Sequence, residues 1–228
     1  IFFVLSGILI TTLLLKEQSR TGGIDLWAFY LRRSLRLLPA LLAMLLAYAL
    51  YVGLTRPDVV STVSGILSVL FYYSNWHIAL NFLNSGITPE MGQMWSLAVE
   101  DQFYILWPIT VIALQRYGFG DRRSLFLLSA LFLCVTAWRF FLYRQGVSWF
   151  ELYVRTDTRA DALLAGAIAA YLLRLRAIPD HVLGPLALLS SATFALSIVH
   201  AEIGDAWLYQ GGFSLLALCA AALILAVV

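Results

Sequence analysis

Apolar runs long enough to cross a bilayer recur along this chain with short polar breaks between them, and that recurrence decides the fold class. The run that follows Arg36, for example, carries no charged side chain before Arg56. A backbone that leaves water must satisfy its own N–H and C=O groups, so such runs form helices, and a span takes about 20 residues. About eight segments read this way: 1–15, 25–52, 61–80, 95–114, 124–143, 162–173, 182–199 and 213–228. The expected architecture is all-α, a polytopic integral-membrane helix bundle. The first segment is shorter than a span and the last stops inside an apolar run, so the sequence reads as an internal piece truncated at both ends. Val59 to Leu80 either crosses once or re-enters, and the basic loops do not decide which. Charged residues make up 12% of the chain, against about 25% in a soluble domain. The net charge of +2 supplies no broad basic surface for a nucleic acid. Cys134 and Cys219 both lie inside apolar runs and read as small core residues, without a disulfide framework or a metal site.

Chemistry concentrates at the head of one segment, Trp95-Ser-Leu-Ala-Val-Glu-Asp-Gln-Phe-Tyr-Ile-Leu-Trp-Pro108. At helical spacing Ser96, Glu100, Phe103, Tyr104 and Trp107 share one stripe, with Asp101 beside it. A carboxylate on an aromatic stripe entering a bilayer is costly and faces protein or a wet cavity. Two readings fit: an interfacial cap, with Trp95 and Tyr104 in the aromatic belt, or a functional acid. Pro108 frees the carbonyl of Tyr104 and predicts a kink beside the stripe.

Three guanidiniums, Arg32, Arg33 and Arg36, fall within one and a half turns of the second segment, whose N-cap is read as Asp25. Like charges so spaced repel. They serve either as positive-inside anchors or as a clamp for phosphate oxygens, whose geometry a guanidinium fork matches. Further along, Arg155-Thr-Asp-Thr-Arg-Ala-Asp161 alternates in sign. As a helix, its i,i+4 pairs are Arg155/Arg159 and Asp157/Asp161, both like-charged, so the partners lie on other elements. As an extended segment, the four charges share a face; a solvated loop is the plain alternative. Arg139, near the end of its segment, is expected to snorkel towards the headgroups, and Gly166 among alanines suits close helix packing. His77 at the end of an aromatic-rich segment reads as interfacial, and neither His181 nor His200 is assigned a role.

Four stretches in order, 2–11, 29–39, 95–104 and 155–166, resemble the successive signatures of the acyltransferase-3 family, bacterial integral-membrane O-acyltransferases of the O-antigen and peptidoglycan acetylase type. The resemblance covers essentially the whole chain, 1–228, as a partial domain. It implies transfer of an acyl group, commonly acetyl, from cytoplasmic acyl-CoA to a hydroxyl of an envelope or exported glycan or a lipid-linked sugar, in a multi-pass protein of the bacterial inner (plasma) membrane. The family's Arg-x-x-Arg motif falls on Arg33 and Arg36, which gives the clamp the phosphates of CoA as its ligand. Its Glu falls on Glu100, with Ser96 and Tyr104 beside it. No permanently bound cofactor is implied. The family's general base, a His in an upstream helix, has no counterpart here, so this piece alone is expected to be inactive. A lipid-linked sugar transporter or a silent membrane sensor would use similar intramembrane charges. A further extracytoplasmic domain or partner beyond Val228 stays open.

Overall fold

The computed structural model describes residues 1–55, 59–81 and 91–228. Among these the chain forms helices α1 (Phe2–Thr21), α2 (Leu26–Thr55), α3 (Val59–Leu70), α4 (Ser74–Leu80), α5 (Met94–Arg116), α6 (Asp121–Arg144), α7 (Trp149–Val154), α8 (Thr156–Leu175), α9 (Asp180–His200) and α10 (Phe213–Val227). Six stretches are long and apolar enough to cross a membrane: α1, α2, α5, α6, residues 181–200 of α9, and residues 208–227, which join a wide turn to α10. The chain is an all-α, multi-pass membrane protein.

The eight expected segments resolve into these six and two exceptions. Residues 162–173 lie within α8, a 20-residue helix with charges at both ends and a largely buried middle. Residues 61–80 break at Phe71–Tyr73, where Tyr72 takes φ +56°, a left-handed conformation that non-glycine residues seldom adopt. Neither α3, at 12 residues, nor α4, at 7, has the length of a span. The region is thus two short helices rather than one continuous span. The first segment is also corrected: α1 continues past Leu15 through Lys16 to Thr21, 20 residues in all. Most of the polar loop expected over 81–94 falls on 82–90, outside the described residues.

The helices group into two compact units, one of residues 1–24, 106–153 and 157–228, the other of 25–105 and 154–156. In the first unit, α1 turns Leu5, Leu9 and Leu13 outward while Ser6, Gly7 and Thr11 are buried. The leucines repeat at i,i+4 and so share the outer face. This inverts the pattern of a soluble helix, as lipid contact outside and small-residue packing inside require. The small residues let backbones meet: a Cβ built on Gly166 of α8 would lie 2.8 Å from the nitrogen of Ile8 and 2.9 Å from the Cα of Gly7. Those neighbours are backbone and cannot swing aside. Gly166→Ala is therefore expected to destabilise the protein by about 1–3 kcal/mol through overpacking, despite alanine's better helix propensity. Gly53→Ala, where nothing lies within 4 Å, should be neutral or mildly stabilising. Thermal unfolding of the two variants in detergent compares them directly.

Arg174, at the end of α8, pins the start of α6 and the body of α1: its Nε donates to Asp121 Oδ2 at 2.8 Å and its Nη1 to the Leu15 carbonyl at 3.0 Å. The cysteines divide. Cys219 is buried as expected, but Cys134 is exposed beside the outward Leu131 and Leu133. Its position falls off the buried stripe Ser124, Leu128, Phe132 and Arg139 of α6, so its apolar run marks a lipid-facing side rather than a core.

In the second unit, Leu41, Leu45, Tyr48 and Val52 form one stripe of α2 that packs with Val69 and Met91. Asp25 caps α2 as read from the sequence, its Oδ1 accepting from the Ala28 amide at 2.9 Å. Tyr30 donates to the carbonyl of Ile105 at 2.7 Å and so ties α2 to α5.

Candidate functional site

Within the second unit, the stripe read on α5 faces inward: Glu100 and Tyr104 are buried, and Asp101 with them. The helical period places Glu100 and Tyr104 one above the other, and the Tyr104 hydroxyl donates to Glu100 Oε1. The interfacial-cap reading, with the acids in the headgroups, does not describe carboxylates 5% exposed. Arg33 of α2 completes the group. Its guanidinium lies over the Tyr104 ring, a cation–π arrangement, and its Nε stands 3.7 Å from Asp101 Oδ1. That distance gives Coulomb attraction without a hydrogen bond. Among the described residues, Arg33 Nε and Asp101 Oδ2 are buried without a hydrogen-bond partner. The pair is loose: each side retains hydrogen-bonding capacity for something else.

The structure divides the three arginines rather than gathering them. Arg33 is half-buried against α5, whereas Arg32 and Arg36 are exposed, because a helix sends neighbouring positions about 100° apart. Ser96 is not drawn into the acidic group: its hydroxyl donates to the Gln93 carbonyl at 2.9 Å, a local bond at the start of α5. The helix runs on through Pro108 to Arg116.

A second polar network in this unit was not legible in the sequence. Gln102 Nε2 donates to the Tyr72 carbonyl at 2.7 Å and to Asn75 Oδ1 at 2.9 Å. Asn75 Nδ2 donates to Thr156 Oγ1 at 2.8 Å, and the Thr156 hydroxyl donates to Gln102 Oε1. The ring satisfies the backbone freed at the α3–α4 break. His77 stands 3.4 Å from Ser64 Oγ through Nε2 and edge-on to Tyr73. Arg155, in the gap between α7 and α8, sits over the Trp76 ring.

The alternating charges after it fall in the first unit. From Thr156 the segment is helical, which removes both the extended and the loop alternatives and leaves the partners on other elements. Asp157 and Asp161, on one face, both meet α6: Trp138 Nε1 donates to Asp157 Oδ2 at 2.8 Å, and Arg139 Nη1 donates to Asp161 Oδ2 at 2.7 Å. Arg139 does not snorkel. It is fully buried, also donating to the Thr158 carbonyl at 2.6 Å and to Ser214 Oγ at 2.7 Å. Ser214 donates in turn to Asp161 Oδ2 at 2.6 Å. The signal for this pair was present: an arginine inside an apolar run needs a carboxylate, and the paired acids of 157 and 161 needed a cation. Arg159 points elsewhere, against the rings of Phe213 and Tyr153. No group of three or more His, Cys, Asp or Glu is placed to hold a metal among the described residues.

Many-span helices carrying charges that are buried and paired through polar networks define a membrane protein with a polar interior. The sequence profile described as an acyltransferase domain matches residues 1–228, and the chain belongs to that family, acyltransferase-3. It is 33% identical over 243 residues to a Staphylococcus aureus (strain COL) protein named "Putative O-acetyltransferase", covering all of this chain and 39% of that protein. It is 34% identical to the peptidoglycan O-acetyltransferase OatA of Listeria monocytogenes, over 75% of this chain and 28% of OatA. A Bacillus subtilis relative named "Putative peptidoglycan O-acetyltransferase" is 32% identical over 98% of this chain and 37% of its own length. The chain thus spans well under half the length of these relatives. No solved structure matches it.

Proposed function

We propose that the full-length protein is a membrane O-acyltransferase that moves an acyl group, acetyl being the first to test, from acyl-CoA to a hydroxyl of a cell-envelope glycan, in the bacterial plasma membrane. The observation that carries this reading is the buried group of Glu100, Tyr104, Asp101 and Arg33 in a chain of this family. In the reaction, the thioester C–S bond breaks and an ester C–O bond forms. The acceptor hydroxyl loses a proton and the departing thiolate gains one. Glu100, held by Tyr104, is the polar element next to the acceptor or in the path of that proton. Arg36, exposed, and Arg33, loosely paired with Asp101, supply guanidinium forks for the phosphates of CoA, with Arg32 adding charge nearby.

Arg36→Ala is expected to raise the KM for acyl-CoA about tenfold with little change in kcat, since a contact made equally in ground and transition states acts on KM alone. Unchanged donor dependence in folded protein would remove Arg36 from the clamp. The reading as a whole is tested with labelled acetyl-CoA, an envelope-glycan acceptor and the full-length protein in nanodiscs. Label in ester linkage to the glycan is the expected result; folded protein that transfers none to any acceptor overturns it.

A further inference from the structure

Arg159 is a second arginine of the first unit, half-buried as a residue with its Nε and Nη1 inside, and its circumstances differ from those of Arg139. Among the described residues, the acid whose charge acts on Arg159 is Asp161, and it is already committed. Its Oδ2 accepts from Arg139 and Ser214, and its Oδ1 accepts from the Ala162 amide at 2.9 Å. Arg139 is neutralised by that carboxylate at 2.7 Å. Arg139 Nε is buried without a hydrogen-bond partner, but its two terminal nitrogens are engaged; for Arg159 both Nε and Nη1 are buried without one among the described residues. The plane of its guanidinium is held by apolar contacts instead, 4.0 Å from the Phe213 ring centroid and 5.2 Å from that of Tyr153. Two arginines and one aspartate leave the cluster one positive charge in excess. Buried N–H groups on a cation are costly when unmatched, and aromatic faces hold a guanidinium in place without using its donors. The donors are thus oriented and left over.

We propose that Arg159 anchors an oxyanion subsite, taking a phosphate or carboxylate group of a substrate. The inference rests on the acyl-transfer reading for the identity of that substrate: the group belongs either to the phosphates of the acyl donor or to an acidic group on the glycan acceptor. Arg139 and Asp161 are the fixed scaffold of the subsite, and Phe213 and Tyr153 set the angle of the fork.

The test is binding and stability rather than transfer, so it stands apart from the fate of the acyltransferase reading. Full-length protein in phosphatidylcholine nanodiscs is titrated with inorganic pyrophosphate, acetate and CoA. Wild type, Arg159→Gln and Arg159→Lys are compared, each also in an Arg36→Gln background so that the exposed arginine of α2 does not mask the change. Arg159→Gln should weaken the binding of at least one bare oxyanion about tenfold or more, the loss of one charge-assisted contact, with Arg159→Lys intermediate. Equal weakening of CoA assigns the subsite to the donor, and unchanged CoA binding assigns it to the acceptor. Because its donors are unmatched without ligand, Arg159→Leu should leave the melting temperature unchanged or raise it, where Arg139→Leu lowers it. Oxyanion binding by folded Arg159→Gln equal to that of wild type overturns the proposal. So does a fall in melting temperature for Arg159→Leu as large as that for Arg139→Leu, which would make Arg159 a structural residue.

Discussion

Asp161→Ala in the full-length protein should cost about 3–5 kcal/mol of stability, the usual penalty for leaving one member of a buried ion pair without its counter-charge. Asp161 and Arg139 are 2.7 Å apart with side chains essentially sealed from the surface. Ser214 and the Thr158 carbonyl accept further hydrogen bonds from the same guanidinium. Removing the carboxylate leaves a cation where water cannot reach it. Removing both charges is a different matter. Arg139→Met combined with Asp161→Leu exchanges a desolvated pair for apolar volume and should recover most of the loss, since pairs of this kind are often replaceable by well-packed hydrophobic residues. Equilibrium unfolding of the two single variants and the double variant gives the coupling energy. A double variant as unstable as the singles would show that Ser214 and Thr158, rather than the ion pair, hold this region together.

In the full-length protein, Glu100→Gln should lower the proposed acyl transfer by about 10²–10⁴-fold, the range expected when a group that accepts or positions a proton is removed. The substitution keeps an oxygen to accept from the Tyr104 hydroxyl, so the fold is retained and the effect reads on chemistry. Tyr104→Phe removes the hydrogen bond while leaving the carboxylate, and a loss of about tenfold is expected from one such contact. Single-turnover transfer from labelled acetyl-CoA separates the two variants. Wild-type rates in Glu100→Gln would make Glu100 a buried architectural acid with no part in the reaction.

The bundle was legible because lipid exposure writes itself into the sequence: long uncharged runs became helices, and the glycine expected to sit at a close helix crossing, Gly166, does so. The stripe of α5 was legible for the same reason, since three- and four-residue spacing places Glu100 and Tyr104 together before any tertiary contact is known. Long-range pairing was harder. Taken alone, the helix of Arg139 offers nothing to bind it and points to the headgroups; only the fold brings α8 alongside. The ring of Asn75, Gln102 and Thr156 is uncharged and scattered over 81 positions between its first and last members, so no local pattern announces it. Arg32, Arg33 and Arg36 look alike as a cluster, yet helical rotation gives Arg33 an inward partner and leaves Arg36 outside.

The first turns of α8 have a mechanical consequence. Asp157 and Asp161 engage α6, Asp161 also meets Ser214 of α10, and Arg159 lies over the ring of Phe213, the first residue of α10. Advancing the helix by one residue would turn every one of these side chains through about 100° and dissolve all the contacts together. The alternating charges therefore work as the teeth of a key: α8 has one azimuth and one depth in its unit, and a neighbouring helix that shifts must carry it along or unlock it completely.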